Sequence, residues 1–156
     1  MMTPLDWAFL PLQRYFVFYG RSPRAEYWYF WLLQMILSII TVMVDLVLGL
    51  GGPEAPLSTN LLLALALFFP SLAVTVRRLH DINRSGWTVL VYGVASVAAA
   101  IVGGVVGALA GFGVVLMLVA VALVSINFVI MMATDGSPGE NHYGPDPYGR
   151  AYGWRG

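Results

Sequence analysis

The sequence predicts an all-α integral membrane protein: a four-transmembrane-helix bundle forming a single domain over 1–156, with an N-terminal interfacial aromatic segment and a Gly/Pro-rich cytoplasmic tail. Three observations carry this expectation. First, 59% of the 156 residues are apolar and only 10% are charged, against about 25% charged in a soluble domain. A chain this small buries only about two-thirds of its surface when it folds in water. The composition therefore argues against a soluble enzyme, a disordered tail and a nucleic-acid binder. Second, the eight acidic and eight basic residues are clustered: five charges lie in 1–27, four in 77–86 and five in 133–156. Only Asp45 and Glu54 fall elsewhere, and 87–132 carries no charge. Third, every basic residue is an arginine, and all eight sit in the three segments that four spans place on one side. The loops at 50–56 and 107–111 hold none, so the positive-inside rule puts both termini in the cytoplasm.

The elements follow in order. Thr3-Pro4-Leu5-Asp6 has the form of a helix start: a capping threonine, a proline in the first turn and an acid at the third position. Trp7, Phe9, Tyr15, Phe16, Phe18 and Tyr19 follow, rings suited to the headgroup layer, and 1–27 reads as a helix lying flat as an anchor. Pro11, Gln13 and Arg14 interrupt its apolar run, so it is not a span. Without a charged leader or a clear cleavage site it is not expected to be a signal peptide either. A span needs about 20 apolar residues. The first covers about 28–49, introduced by Ser22 as cap, Pro23, and Glu26 in the first turn. Asp45, near the outer end of this span, is an intramembrane acid that either reaches the interface or handles a proton or cation.

Ser58-Thr59-Asn60 can cap the second span, about 57–76. Pro70 removes a backbone donor inside it and leaves a carbonyl to be satisfied by a neighbouring helix or by Ser71. The uncharged block supplies two more spans, about 87–106 and 111–132, with a turn near Gly107–Gly111. Ala99, Gly103, Gly107 and Gly111 recur at intervals of four. They form either a small-residue packing face, through which a homo-oligomer could assemble, or part of the turn. Asn127 is expected to hydrogen-bond across to another helix. The tail, 133–156, has six glycines and three prolines from Thr134 onward and reads as loop on the cytoplasmic face.

Three polar motifs stand out on that face. They are Phe18-Tyr-Gly-Arg-Ser-Pro-Arg-Ala-Glu-Tyr-Trp28, Arg77-Arg-Leu-His-Asp-Ile-Asn-Arg-Ser-Gly-Trp87 and Asn141-His-Tyr-Gly-Pro-Asp-Pro147. Together they resemble the signatures of the bacterial domain of unknown function 805 family, the YhaH-like small inner-membrane proteins, and the likeness covers nearly the whole chain. The resemblance implies a four-helix protein of the bacterial inner membrane and brings no activity with it.

The residues themselves allow several readings. Helix N-termini beside arginine forks suit anions, because guanidinium pairs with phosphate in two-pronged fashion. Arg21, Arg24, Arg77, Arg78, Arg84 and Ser85 are thus candidates for binding the headgroup of an anionic membrane lipid or another phosphate. A structural alternative has these arginines fixing topology and pairing with Glu26, Asp81 and Asp146. In the same reading His80, Asp81, Asn83 and Asn141 tie the inner loop to the tail as a polar latch. An interfacial enzyme would use His80 and Asp81 with Asn83, Ser85 and His142, but adjacent residues do not share a helix face, and no catalytic motif is present. No catalytic residue is assigned. Cysteine is absent and the two histidines match no zinc spacing, so no metal or other cofactor is expected. A transporter or channel subunit would have to build its pathway from several copies, given only Asp45 and Asn127 within the spans.

Overall fold

The computed structural model describes residues 2–52 and 57–149. Glu54, between the first two spans, and Arg150 and Arg155 in the tail lie outside the described residues. Five α-helices follow one another: α1 (Pro4–Gln13), α2 (Arg24–Leu48), α3 (Thr59–Asp81), α4 (Thr88–Ala110) and α5 (Gly113–Ala133). The last four are each long and apolar enough to cross a membrane.

α1 begins as its sequence requires. The Thr3 hydroxyl accepts from the Asp6 N–H (3.2 Å) and the Thr3 N–H donates to the Asp6 carboxylate (2.7 Å), a reciprocal capping box. The Thr3 backbone donor holds the Asp6 carboxyl below the usual carboxylate range. The helix packs against α2 and α3 and buries Ala8 and Pro11. Just beyond it, the Tyr15 hydroxyl donates to the Ala66 carbonyl, the group that Pro70 leaves without its helical partner. The Ser71 hydroxyl goes instead to the Leu67 carbonyl and the Gln34 amide oxygen. Ala66 lies eleven residues from Arg77, about 16 Å along the helix, so the N-terminal segment runs well up the side of α3.

α2 starts at Arg24, with Pro23 as its cap residue and no side-chain cap. Ser22 is therefore not the cap; its hydroxyl is buried without a hydrogen-bond partner among the described residues. At the far end Gly49 closes the helix in the left-handed conformation (φ 65°), which glycine adopts without steric cost. Asp45 does not reach outward. It is buried, and its carboxylate accepts from Thr59 N (2.7 Å), Thr59 Oγ1 (2.7 Å) and Asn60 N (3.1 Å). It thus caps α3 from a neighbouring helix, while Ser58 accepts from Leu61 N in the usual capping position.

α3 continues past residue 76 to Asp81, so Arg77, Arg78, His80 and Asp81 belong to a helix and not to a loop. It ends in a Schellman turn: Arg84 N bonds Leu79 O (2.8 Å) and Asn83 N bonds His80 O (3.0 Å). Asn83 sits at the left-handed position (φ 57°), where asparagine is the best substitute for glycine.

α4 and α5 form a close hairpin. Its turn is shorter and later than residues 107–111: Gly107 is a buried helical residue, and Gly111 (φ 81°) makes the reversal. Gly103 is the point of closest approach. A Cβ there would stand 2.7 Å from the Met117 Cα. The small-residue face is thus used inside the hairpin. Tyr92 donates to the Asn127 side chain from one helix to the other. α4 also meets α3, and the segment that joins them packs at Gly86 against Val76.

Candidate functional site

The buried interior is unusual for being charged. Arg77, Arg78, Glu26, Asp81 and Ser22 are among the largest fully buried side chains, beside Phe30, Leu79 and Met132. They form a polar layer at one end of the helices, which the segment before α2 and the tail after α5 also enter. A buried charge is stable only when its partners lie within the protein, and the partners here come from three segments far apart in the chain, 14–26, 77–81 and 132–144.

Asp81 is the hub. One carboxylate oxygen receives Arg21 Nε (3.0 Å) and an Arg21 terminal nitrogen (2.9 Å), and the other receives Arg78. Arg21 continues to the Gly139 and Ser137 carbonyls (2.6 Å each). Arg78 continues to the carbonyls of Met132 (2.9 Å) and Thr134. The tail closes over this hub: Ser137 N bonds the Asp81 carbonyl (2.9 Å), and Asn141 Nδ2 bonds the His80 carbonyl (2.9 Å). Gly136 lies so close that a Cβ would fall 2.1 Å from the Asp81 carboxylate.

A second pair lies next to the first. Arg77 donates to Glu26 (2.7 Å) and to the Val17 carbonyl. Arg14 approaches the other Glu26 oxygen at 3.8 Å, an ion pair too long for a hydrogen bond. That oxygen and Arg77 Nε are buried without hydrogen-bond partners among the described residues.

The histidines point elsewhere. The His80 ring lies flat on Tyr143, with centroids 3.9 Å apart, and its Nδ1 meets the Gly20 carbonyl (3.1 Å). A carbonyl only accepts, so Nδ1 carries the proton. His80 and the Asp81 carboxylate, which is held by two arginines, form no dyad. His142 meets the Asn83 side chain (3.2 Å). The Asp146 carboxylate accepts from Tyr148 N (2.9 Å). Among the described residues no three His, Asp or Glu side chains converge as metal ligands.

Of the candidate anion-binding residues, then, the structure brings Arg21, Arg77 and Arg78 together and turns them inward. Arg24 is half-exposed and pairs with Asp135 and the Ala133 carbonyl. Arg84 and Ser85 stand apart in the exposed turn between α3 and α4. Among the described residues the Arg84 guanidinium has no ion pair or hydrogen bond. Beneath this turn a groove of about 690 Å³ opens between α3 and α4, lined by Phe18, Phe68, Leu72, Val76, Trp87 and, at its polar end, His80 and Ser85. Gly86 makes its neck: a Cβ there would meet Val76 Cγ1 at 2.8 Å.

Sequence reasoning missed Gly136, Ser137 and Gln34, and it read Tyr15 as an interfacial ring and Tyr143 as part of the third motif without the contacts they make. An Asp-Gly-Ser turn in the tail hinted at Gly136 and Ser137, and an amide in mid-span should have drawn notice to Gln34. Tyr15 and Tyr143 carried no signal of their contacts beyond being aromatic.

Residues 15–145 match a family described as "Protein of unknown function (DUF805)". The chain is 30% identical over 145 residues to Inner membrane protein YhaH of Escherichia coli (strain K12), covering 92% of this chain and 97% of that protein. It is 33% identical over 144 residues to Inner membrane protein YhaI of the same strain, covering 92% and 96%. No solved structure matches.

Proposed function

The chain belongs to the DUF805 family, and from that premise we propose that it is a small polytopic inner-membrane protein that binds an anionic phospholipid at its cytoplasmic face. Both termini lie in the cytoplasm in this reading. The layer built on Asp81 is a structural latch, since its arginines already have carboxylate and carbonyl partners. The latch holds the 82–87 turn in place, and that turn carries the binding chemistry. The observation that supports the reading is Arg84: exposed, without a partner among the described residues, and beside Ser85 at the mouth of the α3–α4 groove. A headgroup phosphate would meet the Arg84 fork and the Ser85 hydroxyl, whose oxygen accepts from Trp87 N (3.3 Å) and whose proton is left to donate. One acyl chain would lie along Phe68, Leu72 and Leu90.

Lipid mass spectrometry on the purified protein tests this. Arg84→Glu is expected to abolish enrichment of phosphatidylglycerol over phosphatidylethanolamine, while Arg24→Glu leaves it in place. Equal lipid profiles for the wild type and Arg84→Glu would overturn the reading.

A further inference from the structure

We propose that a second groove, between α2 and α3, is the interface of a symmetric homodimer centred on Gln34. This groove has a volume of about 520 Å³ and borders the lipid groove at Phe68, which lines both. Its walls are apolar, with Trp31, Met35 and Leu67 among them, but Gln34, Ser38, Asn60 and Ser71 line it too. These polar groups satisfy one another only in part. Ser71 donates to Gln34 Oε1 (3.0 Å), and Asn60 Nδ2 donates to Ser38 Oγ (2.7 Å) and Thr41 Oγ1 (3.0 Å). The Gln34 amide nitrogen and the Asn60 amide oxygen have no partner among the described residues, and both residues are half-exposed.

Gln34 lies ten residues into α2, about 15 Å from its charged end, which is mid-depth in a hydrocarbon core about 30 Å thick. Water is absent there and lipid tails offer no acceptor, so an unused amide N–H favours a protein partner. A second copy supplies one without further conditions. Two copies inserted with the same orientation are related by an axis along the membrane normal, which brings identical residues to identical depth. A primary amide is its own electrostatic complement, with a positive N–H edge and a negative carbonyl, so Gln34 of each copy can donate to the other. The carbonyl that Ser71 already uses retains a second lone pair. The exposed side chains of Trp31, Met35 and Ile39 give each copy the projections to fill the other's groove. The small-residue face is not available for this, because Gly103 and Gly107 are buried within the hairpin.

The chain has no cysteine, so single-cysteine variants report cleanly. In native membranes, Met35→Cys and Ile39→Cys are expected to form disulfide-linked dimers on mild oxidation, while Val97→Cys on α4 does not. Adding Gln34→Met to either is expected to lower the dimer yield by about tenfold. Ser71 keeps its bond to the Leu67 carbonyl in that variant, and recovery of monodisperse protein checks that it folds. Monomer from both reporter positions would overturn the proposal, whether the groove then holds lipid or another amphiphile. So would equal cross-linking from Val97→Cys, or a yield indifferent to Gln34→Met.

Discussion

The two helical hairpins of this protein are held together by different means. α2 and α3 are joined by polar side chains along their whole length: Arg77 and Glu26 at one end, Ser71 and Gln34 midway, and Asp45 with Thr59 and Asn60 at the other end. α4 and α5 are joined by backbone proximity at Gly103 and, among the described residues, by one side-chain bond, Tyr92 to Asn127. In a bilayer the hydrophobic effect does not drive helices together, so association rests on hydrogen bonds or on close packing. This chain uses one solution in each hairpin. Polar pairing fixes the register of α2 against α3 at three depths, and its cost is that every partner must be present. Small-residue packing tolerates loss of any one polar group but not added volume.

Substitutions can break that contrast in order of size. Asp81→Ala should have the largest effect. It leaves Arg21 and Arg78 buried without their shared carboxylate, and breaking a buried ion pair from one side costs about 3–5 kcal/mol. Chemical unfolding of the detergent-solubilised protein should show this loss together with proteolysis of the released tail; unchanged stability would mean that the layer contributes nothing. Gly103→Ala comes next. The new methyl meets backbone atoms of Met117, which cannot rotate away, so the hairpin must open, at a cost of about 1–3 kcal/mol. The same unfolding measurement, with a distance between spin labels on α4 and α5, checks both the size and the origin of the effect. Asn127→Leu should be the mildest, about 0.6 kcal/mol, the average for a side-chain hydrogen bond between membrane helices. If Asn127→Leu proved as damaging as Asp81→Ala, the hairpins would not differ in the way described.

The sequence made some of this legible and left the rest hidden for definable reasons. Helix number and approximate limits were readable because hydrocarbon thickness sets span length and charges are costly between the ends, where only Asp45 lies within the predicted spans. The place of the polar layer was readable for the same reason. Its wiring was not. Whether Arg21 meets Asp81 or Arg77 meets Glu26 depends on how residues sixty or fifty-one positions apart are brought together. Ser22 has the chemistry of a cap, yet its backbone N–H bonds Arg77 O (3.0 Å) and the helix starts after Pro23. Asp45 has the chemistry of a proton site, yet it lies opposite the first turn of α3 and takes the N–H groups of Thr59 and Asn60 that Ser58 does not reach. In both cases local composition named a capable residue, and tertiary placement chose its partner.

The arrangement around Arg78 also has a consequence for how the protein is made. Arg78 lies on the third helix to be synthesised, but two of its hydrogen-bond acceptors are carbonyls of residues 132 and 134, at the end of the fourth membrane-spanning segment. Arg21, made earlier still, awaits Ser137 and Gly139. Until the ribosome has supplied those residues, the guanidinium groups must stay hydrated at the bilayer surface, and neither α3, which bears Arg78, nor the segment before α2, which bears Arg21, can settle. The order of translation therefore sets the order of assembly: the hairpins can enter the membrane one after the other, but the latch closes only when the last segment emerges.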